Sequence, residues 1–359
     1  MTPVEHPLWV WLLFFGIVLG ALIVDIGFVN RHAHVPTRKE TFSWAVVWVS
    51  LALGFNVFLY FQVGNHYQDW GLATEQAKLF LMGYLIELSL SVDNLFIFLL
   101  IFGYFRVPKQ YQHRVLFWGI MGALVMRMIM IFAGAELVER FHWIIYIFGA
   151  FLIYTGLKMF GSTDDDFDPG DSGIVRFTTR YVPITKTYEE DKFFVRKNGV
   201  LTGTMLFLVL VVVEFTDLIF AVDSIPAIFG ITTDRFIVYT SNIFAILGLR
   251  TFFFLLADIA DRFHYLKVGL AFILTFIGVK MLLPMLAGGY VMAFGESGVV
   301  GDFVRRFLAH EFKEEMINIS LGVVVLAIVL SIIASLLFPS HKEEAAAVPD
   351  IEPEAVEKE

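Results

Sequence analysis

The chain has 359 residues, of which 58% are apolar and 17% charged, with a mean hydropathy of +0.73. Soluble domains average about 45–50% apolar and about 25% charged, so this composition excludes a soluble globular protein. Cysteine is absent, which removes disulfides, thiolate metal sites, iron–sulfur clusters and cysteine nucleophiles, and a net charge of −9 has the wrong sign for a nucleic-acid partner.

A helix crosses a bilayer with about 20 apolar residues. In chain order that criterion predicts nine spans: 8–29, 43–63, 77–103, 112–134, 141–160, 199–229, 234–257, 263–286 and 317–338. The fold class is therefore all-α, a polytopic membrane protein. The first span has neither a basic leader nor a small-residue cleavage site, so it reads as a span and not as a signal peptide. The chain divides into a two-helix segment (1–76), a three-helix unit (77–160), an acidic loop (161–198) and a second three-helix unit (199–286). An outer segment with the last span (287–338) and an acidic tail (339–359) follow. The tail holds Pro339, Pro349 and Pro353 and is expected to be disordered. In the loop, Asp164, Asp166 and Asp168 imitate a calcium loop, but Pro169 stands where its glycine belongs and Val175 where its glutamate belongs.

Lysine and arginine in the connections set the orientation. The alternating set that includes 30–42, 104–114, 161–198 and the tail holds fifteen, and the opposite set five, which predicts an outer N-terminus and a cytoplasmic C-terminus.

The two three-helix units resemble each other. Residues 140–160 and 262–282 share seven identities over 21 positions without a gap, beginning at Arg140-Phe141-His142 and Arg262-Phe263-His264. Upstream, Glu87-Leu88 with Val92-Asp93-Asn94 is echoed by Asp217-Leu218 with Val222-Asp223-Ser224. An odd number of spans per unit makes this an inverted repeat, whose substrate site is expected at the interface of the copies.

Ten ionisable residues fall inside predicted spans: Asp25, Glu87, Asp93, Glu214, Asp217, Asp223, Arg127, Lys158, Arg250 and Lys280. Each costs about 3 kcal/mol on insertion scales, so each needs a reason. For the four bases the plainer reading is ion pairing or snorkelling. The acids cluster. Glu87, Ser91 and Asn94 share a helical face, as do Glu214 and Asp217, while Asp93 and Asp223 point elsewhere on a straight helix. Pro226 cannot donate to the carbonyl of Val222, so a kink or unwound turn is expected beside Asp223. Glu87, Asp93, Asn94, Glu214, Asp217, Asp223 and Ser224 then form an all-oxygen donor set, with Asn56 and Asp25 as outer candidates. Such donors suit a hard divalent cation as substrate, and the spare carboxylates suit protons.

The runs Glu87 to Asn94 and Glu214 to Phe229 closely resemble the TerC family, and Phe193 to Gly199 and Thr240 to Arg250 look like its alkaline-inducible Alx branch. The resemblance spans roughly residues 8–285 and is expected to take in the last span. It implies an inner-membrane exporter of manganese, with some members tied to tellurite resistance, and carries the oxygen-ligand role onto the seven residues above. No resident cofactor is implied. The expected function is a secondary transporter moving Mn2+ outward by alternating access, possible proton coupling included. The alternative is a non-transporting membrane scaffold in tellurite or metal stress. An intramembrane protease would need Gly-x-Gly-Asp or His-Glu-x-x-His, and neither occurs, so no enzyme is expected.

Overall fold

The computed structural model describes residues 4–24, 37–161, 173–185, 187–197, 199–257, 265–294 and 310–337. At a few helical positions, Asp93 and Asp223 among them, the backbone alone is described. Asp25, the aspartates 164–171, the loop 258–262 and the acidic tail lie outside the described residues.

Eleven helices and one hairpin are described: α1 (Leu8–Val24), α2 (Arg38–Tyr67), α3 (Trp70–Tyr104), α4 (Lys109–Arg140), α5 (Ile144–Gly161), α6 (Gly173–Tyr181), β1 (Phe194–Lys197), β2 (Val200–Gly203), α7 (Met205–Phe229), α8 (Arg235–Leu247), α9 (Leu249–Ala257), α10 (Leu266–Phe294) and α11 (His310–Leu337). Among the described residues, α2, α4 and α7 and the segments Lys267–Ala287 and Met316–Ser335 are long and apolar enough to cross a membrane. Together α8 and α9 make a sixth candidate, bent by 43° at their junction.

Local chemistry sets these boundaries. Thr37 and Glu40 form a reciprocal capping box at the start of α2. Asp69 caps α3 by accepting from Leu72 N at 3.0 Å, and Asp234 caps α8 by accepting from Phe236 N and Ile237 N at 2.9 and 3.2 Å.

Three sequence expectations change. The span predicted over 199–229 starts at Met205, because residues 200–203 belong to an antiparallel hairpin and Thr204 caps α7. The span predicted over 234–257 is broken at Gly248, where no proline stands. A Cβ there would sit 2.7 Å from the Phe252 ring, so the glycine lets that ring close on the backbone at the bend. Conversely, α7 stays helical through Pro226. The proline falls in the last turn, so only the bond to Val222 is lost, and its own carbonyl accepts from Gly230 at 3.0 Å.

The helices pack as α3 on α8, α4 on α7 and α5 on α10, with α2 against α3 and α9, and α11 against α10 and α3. Helix α8 is buried from Phe236 through Leu247, packed against α1, α2, α3 and α4. An aromatic cluster fixes α1, α2 and α8: Phe55 lies 4.8 Å from Phe244, and Phe14 5.7 Å from Phe244. Between α5 and α10 the backbones touch. A Cβ on Gly278 would stand 2.6 Å from the Gly149 carbonyl, the close approach small residues permit where lipid supplies no hydrophobic drive. Outward-facing Leu12, Val57, Ile129, Leu157, Ile219 and Leu326 are exposed, as a lipid-facing surface requires.

Candidate functional site

The site begins with two heptad pairs. Glu87 and Asn94 lie seven residues apart on α3, as do Asp217 and Ser224 on α7, so each pair lies on one face. All four are buried, with Glu87 1% and Ser224 1% exposed. Those faces meet around Arg127 of α4, which has no exposed surface.

Arg127 Nη1 ion-pairs with Glu87 and also approaches Ser224 Oγ at 3.3 Å and Asn242 Oδ1 at 3.5 Å, while its Nη2 donates to Asp217 Oδ1 at 3.4 Å. Asn242 Nδ2 donates to the other Glu87 oxygen at 2.9 Å. Four helices thus contribute to one polar knot in an apolar bundle. Glu87, held by both Arg127 and Asn242, is its best-satisfied member.

Glu214 stands apart. It lies one turn before Asp217, and its carboxylate covers Gly122 of α4 so closely that a Cβ there would be 2.0 Å from Oε1. No basic side chain among the described residues stands beside it. A small apolar cavity walled by Leu95, Phe98, Leu116, Ala123 and Val213 opens beside Asp217.

Of the seven residues singled out in the sequence, Glu87, Asp217 and Ser224 converge. Asn94 is buried on the Glu87 face, and Glu214 adjoins the knot from the α4 side. The side chains of Asp93 and Asp223 lie outside the described residues, and the outer candidate Asn56 lies on α2 with its side-chain oxygen buried. Among the described residues, no three His, Asp or Glu side chains converge as a ready-made metal cage. The two central carboxylates face a guanidinium instead. Arg127 thus follows the pairing expected of intramembrane bases; Lys158 is exposed, and Arg250 is buried and engaged.

Asn242 is the residue the sequence reading passed over. Its signal was the run Thr240-Ser241-Asn242 inside an apolar span. Thr240 and Ser241 satisfy themselves by donating to the carbonyls of Phe236 and Ile237, each at 2.7 Å. Asn242 instead turns its amide across the bundle to Glu87, the tertiary partner that satisfies a buried asparagine.

At one end of the bundle the hairpin is tied down. Tyr188 donates to the Phe105 carbonyl at 2.8 Å, Arg114 pairs with Asp191, and Lys197 meets Glu189 at 2.6 Å. Gly199, with φ +82°, provides the left-handed turn between β1 and β2.

The sequence profile of the integral membrane protein TerC family matches residues 72–343. An uncharacterised membrane protein of Myxococcus xanthus is 48% identical over 271 residues, 76% of this chain and 82% of that protein. Alx of Escherichia coli strain K12, named as a proposed membrane-bound redox modulator, is 51% identical over 284 residues, 79% of this chain and 88% of that protein. The Salmonella typhi protein of the same name is 50% identical over the same span. No solved structure matches.

Proposed function

This chain belongs to the TerC family of integral membrane proteins, in its Alx-like branch, and we propose that it is a secondary transporter exporting a divalent cation, Mn2+ foremost, from the cytoplasm. The observation that carries this reading is the meeting of Glu87 and Asp217, from two different helices, at a buried point inside the bundle. Intramembrane acids are too costly to keep without use, and these lie at the same step of the two repeat motifs. The packing of α3 on α8, α4 on α7 and α5 on α10 is reciprocal in the way an inverted repeat of two three-helix units would be, which supports alternating access.

The donors are all hard oxygens. Glu87, Asp93, Asn94, Glu214, Asp217, Asp223 and Ser224 are the ligand candidates, with Asn242 added beside Glu87. Oxygen sets of this kind fit Mn2+, Mg2+ or Ca2+ better than soft ions. Export of a divalent ion against a 100 mV inside-negative potential requires about 4.6 kcal/mol, so it needs a driving ion, and inward protons through the same carboxylates would supply it. The site would serve an inner membrane with the N-terminus outside, the side poorer in lysine and arginine.

The Alx relatives are named for redox modulation. With no cysteine, this chain could not modulate redox state through thiols of its own.

Mn2+ flux in proteoliposomes tests the proposal, comparing the natural chain with Glu87→Gln, Asp217→Asn, Asp93→Asn and Asp223→Asn, with and without an imposed pH gradient. Flux that the substitutions abolish and the gradient drives is expected. Equal Mn2+ accumulation in all proteins and in empty vesicles would sink the transporter and favour the scaffold.

A further inference from the structure

Arg127 is an odd structural arginine. A guanidinium kept for stability is usually bound fork-to-fork by a carboxylate, with most of its five N–H groups satisfied. Here only the contact with Glu87 is close. Asp217, Ser224 and Asn242 stand at 3.3–3.5 Å, and the buried Nε has no hydrogen-bond partner among the described residues. Its neighbours are nevertheless all oxygen atoms, drawn from α3, α7 and α8, and they include three of the residues assigned above to the cargo. A cation held loosely among the ligands of another cation is a competitor.

We propose that Arg127 is a tethered substitute cation: it occupies the Glu87–Asp217 site when no metal is bound, and must withdraw for the divalent ion to enter. This rests on the transport reading and adds a function to it. With Arg127 in place, two carboxylates and one guanidinium leave a residual charge of −1, so a single inward proton neutralises the empty carrier as it returns. With Arg127 removed, the two bare carboxylates need two protons or a metal ion to return. Exchange of metal then displaces net transport wherever protons are scarce.

The full-length protein is tested by equilibrium dialysis against radioactive Mn2+ in detergent and by two flux modes in liposomes. Loss of a competitor tightens binding, whereas simple damage to the site weakens it. Arg127→Gln is expected to bind Mn2+ about tenfold tighter, to retain Mn2+/Mn2+ exchange and to lose net flux about tenfold. Arg127→Lys keeps a charge but makes point contacts, so it should restore net flux and bind with intermediate affinity. Unchanged or weaker binding by Arg127→Gln, with the ratio of net flux to exchange unaltered, overturns the proposal while leaving transport intact. If the glutamine variant does not fold, the lysine variant decides, and an affinity no tighter than the natural chain's overturns the proposal. A natural chain with no flux in either mode overturns the transport reading and this inference with it.

Discussion

Removing Glu87 and Arg127 singly and together measures how far the buried knot holds the bundle. For Asp217, 3.4 Å from Nη2, Coulomb's law at an effective dielectric of about 20 gives roughly 5 kcal/mol of gross attraction, and Glu87 is closer. Desolvation of each ion cancels several kcal/mol of this, so the intact pair contributes little net stability. Deleting one partner is different, because it strands the other in the bundle. Glu87→Gln should therefore cost about 3–5 kcal/mol, and Arg127→Gln at least as much, since it strands two carboxylates. Asp217→Asn should cost less, because a single long contact is lost. The Glu87→Gln/Arg127→Gln double variant should recover about 2 kcal/mol or more of the summed loss. Denaturant titration in detergent, followed by the fluorescence of the seven tryptophans, supplies the four free energies. Additivity within about 0.5 kcal/mol would refute the idea that these two charges hold each other.

Four further outcomes follow from particular contacts. Gly278→Val should lower the melting temperature in detergent and loosen α5 from α10, at about 1–3 kcal/mol, because Gly149 O at 2.6 Å and Ile153 N at 2.9 Å are backbone atoms that cannot rotate away; Gly54→Ala, with nothing within 4 Å, should leave it unchanged. Gly122→Ala should displace the Glu214 carboxylate and reduce Mn2+ flux without unfolding the protein, and full flux with a normal melt would remove Glu214 from the pathway. Burial pushes the Tyr188 hydroxyl up to about 12 from 10.0, so its bond to Phe105 is fully present below pH 10 and is lost as pH rises toward 12. Hydrogen-exchange protection over residues 187–203, taken relative to the base-catalysed intrinsic rate, should fall across that window in the natural chain and show no such step in Tyr188→Phe. At the acid end, Lys197 holds the Glu189 carboxyl below its usual range, so that hairpin contact persists at neutral pH and weakens as pH falls through the carboxylate range.

Membrane residence, helical class and family were legible without coordinates, because lipid imposes long apolar runs and makes every intramembrane charge conspicuous. The shared faces of Glu87 with Ser91 and Asn94, and of Glu214 with Asp217, were equally plain, since a helix turns its residues by a constant angle. What one helix cannot state is which neighbour its polar face meets. Arg127 reads from its own span as an arginine to be paired or to snorkel, and only the packing of α3, α4, α7 and α8 makes it the centre of the site. Asn242 was invisible as a partner for the same reason: Thr240 and Ser241 close their bonds within α8, and the asparagine closes its bond across to α3. The break at Gly248 and the unbroken helix through Pro226 likewise turned on context. A proline in a last turn forfeits one hydrogen bond, whereas a glycine beneath the ring of Phe252 marks where the chain can bend. Periodicity is local and survives in the sequence, but the identity of a buried charge's partner is a property of the assembled bundle.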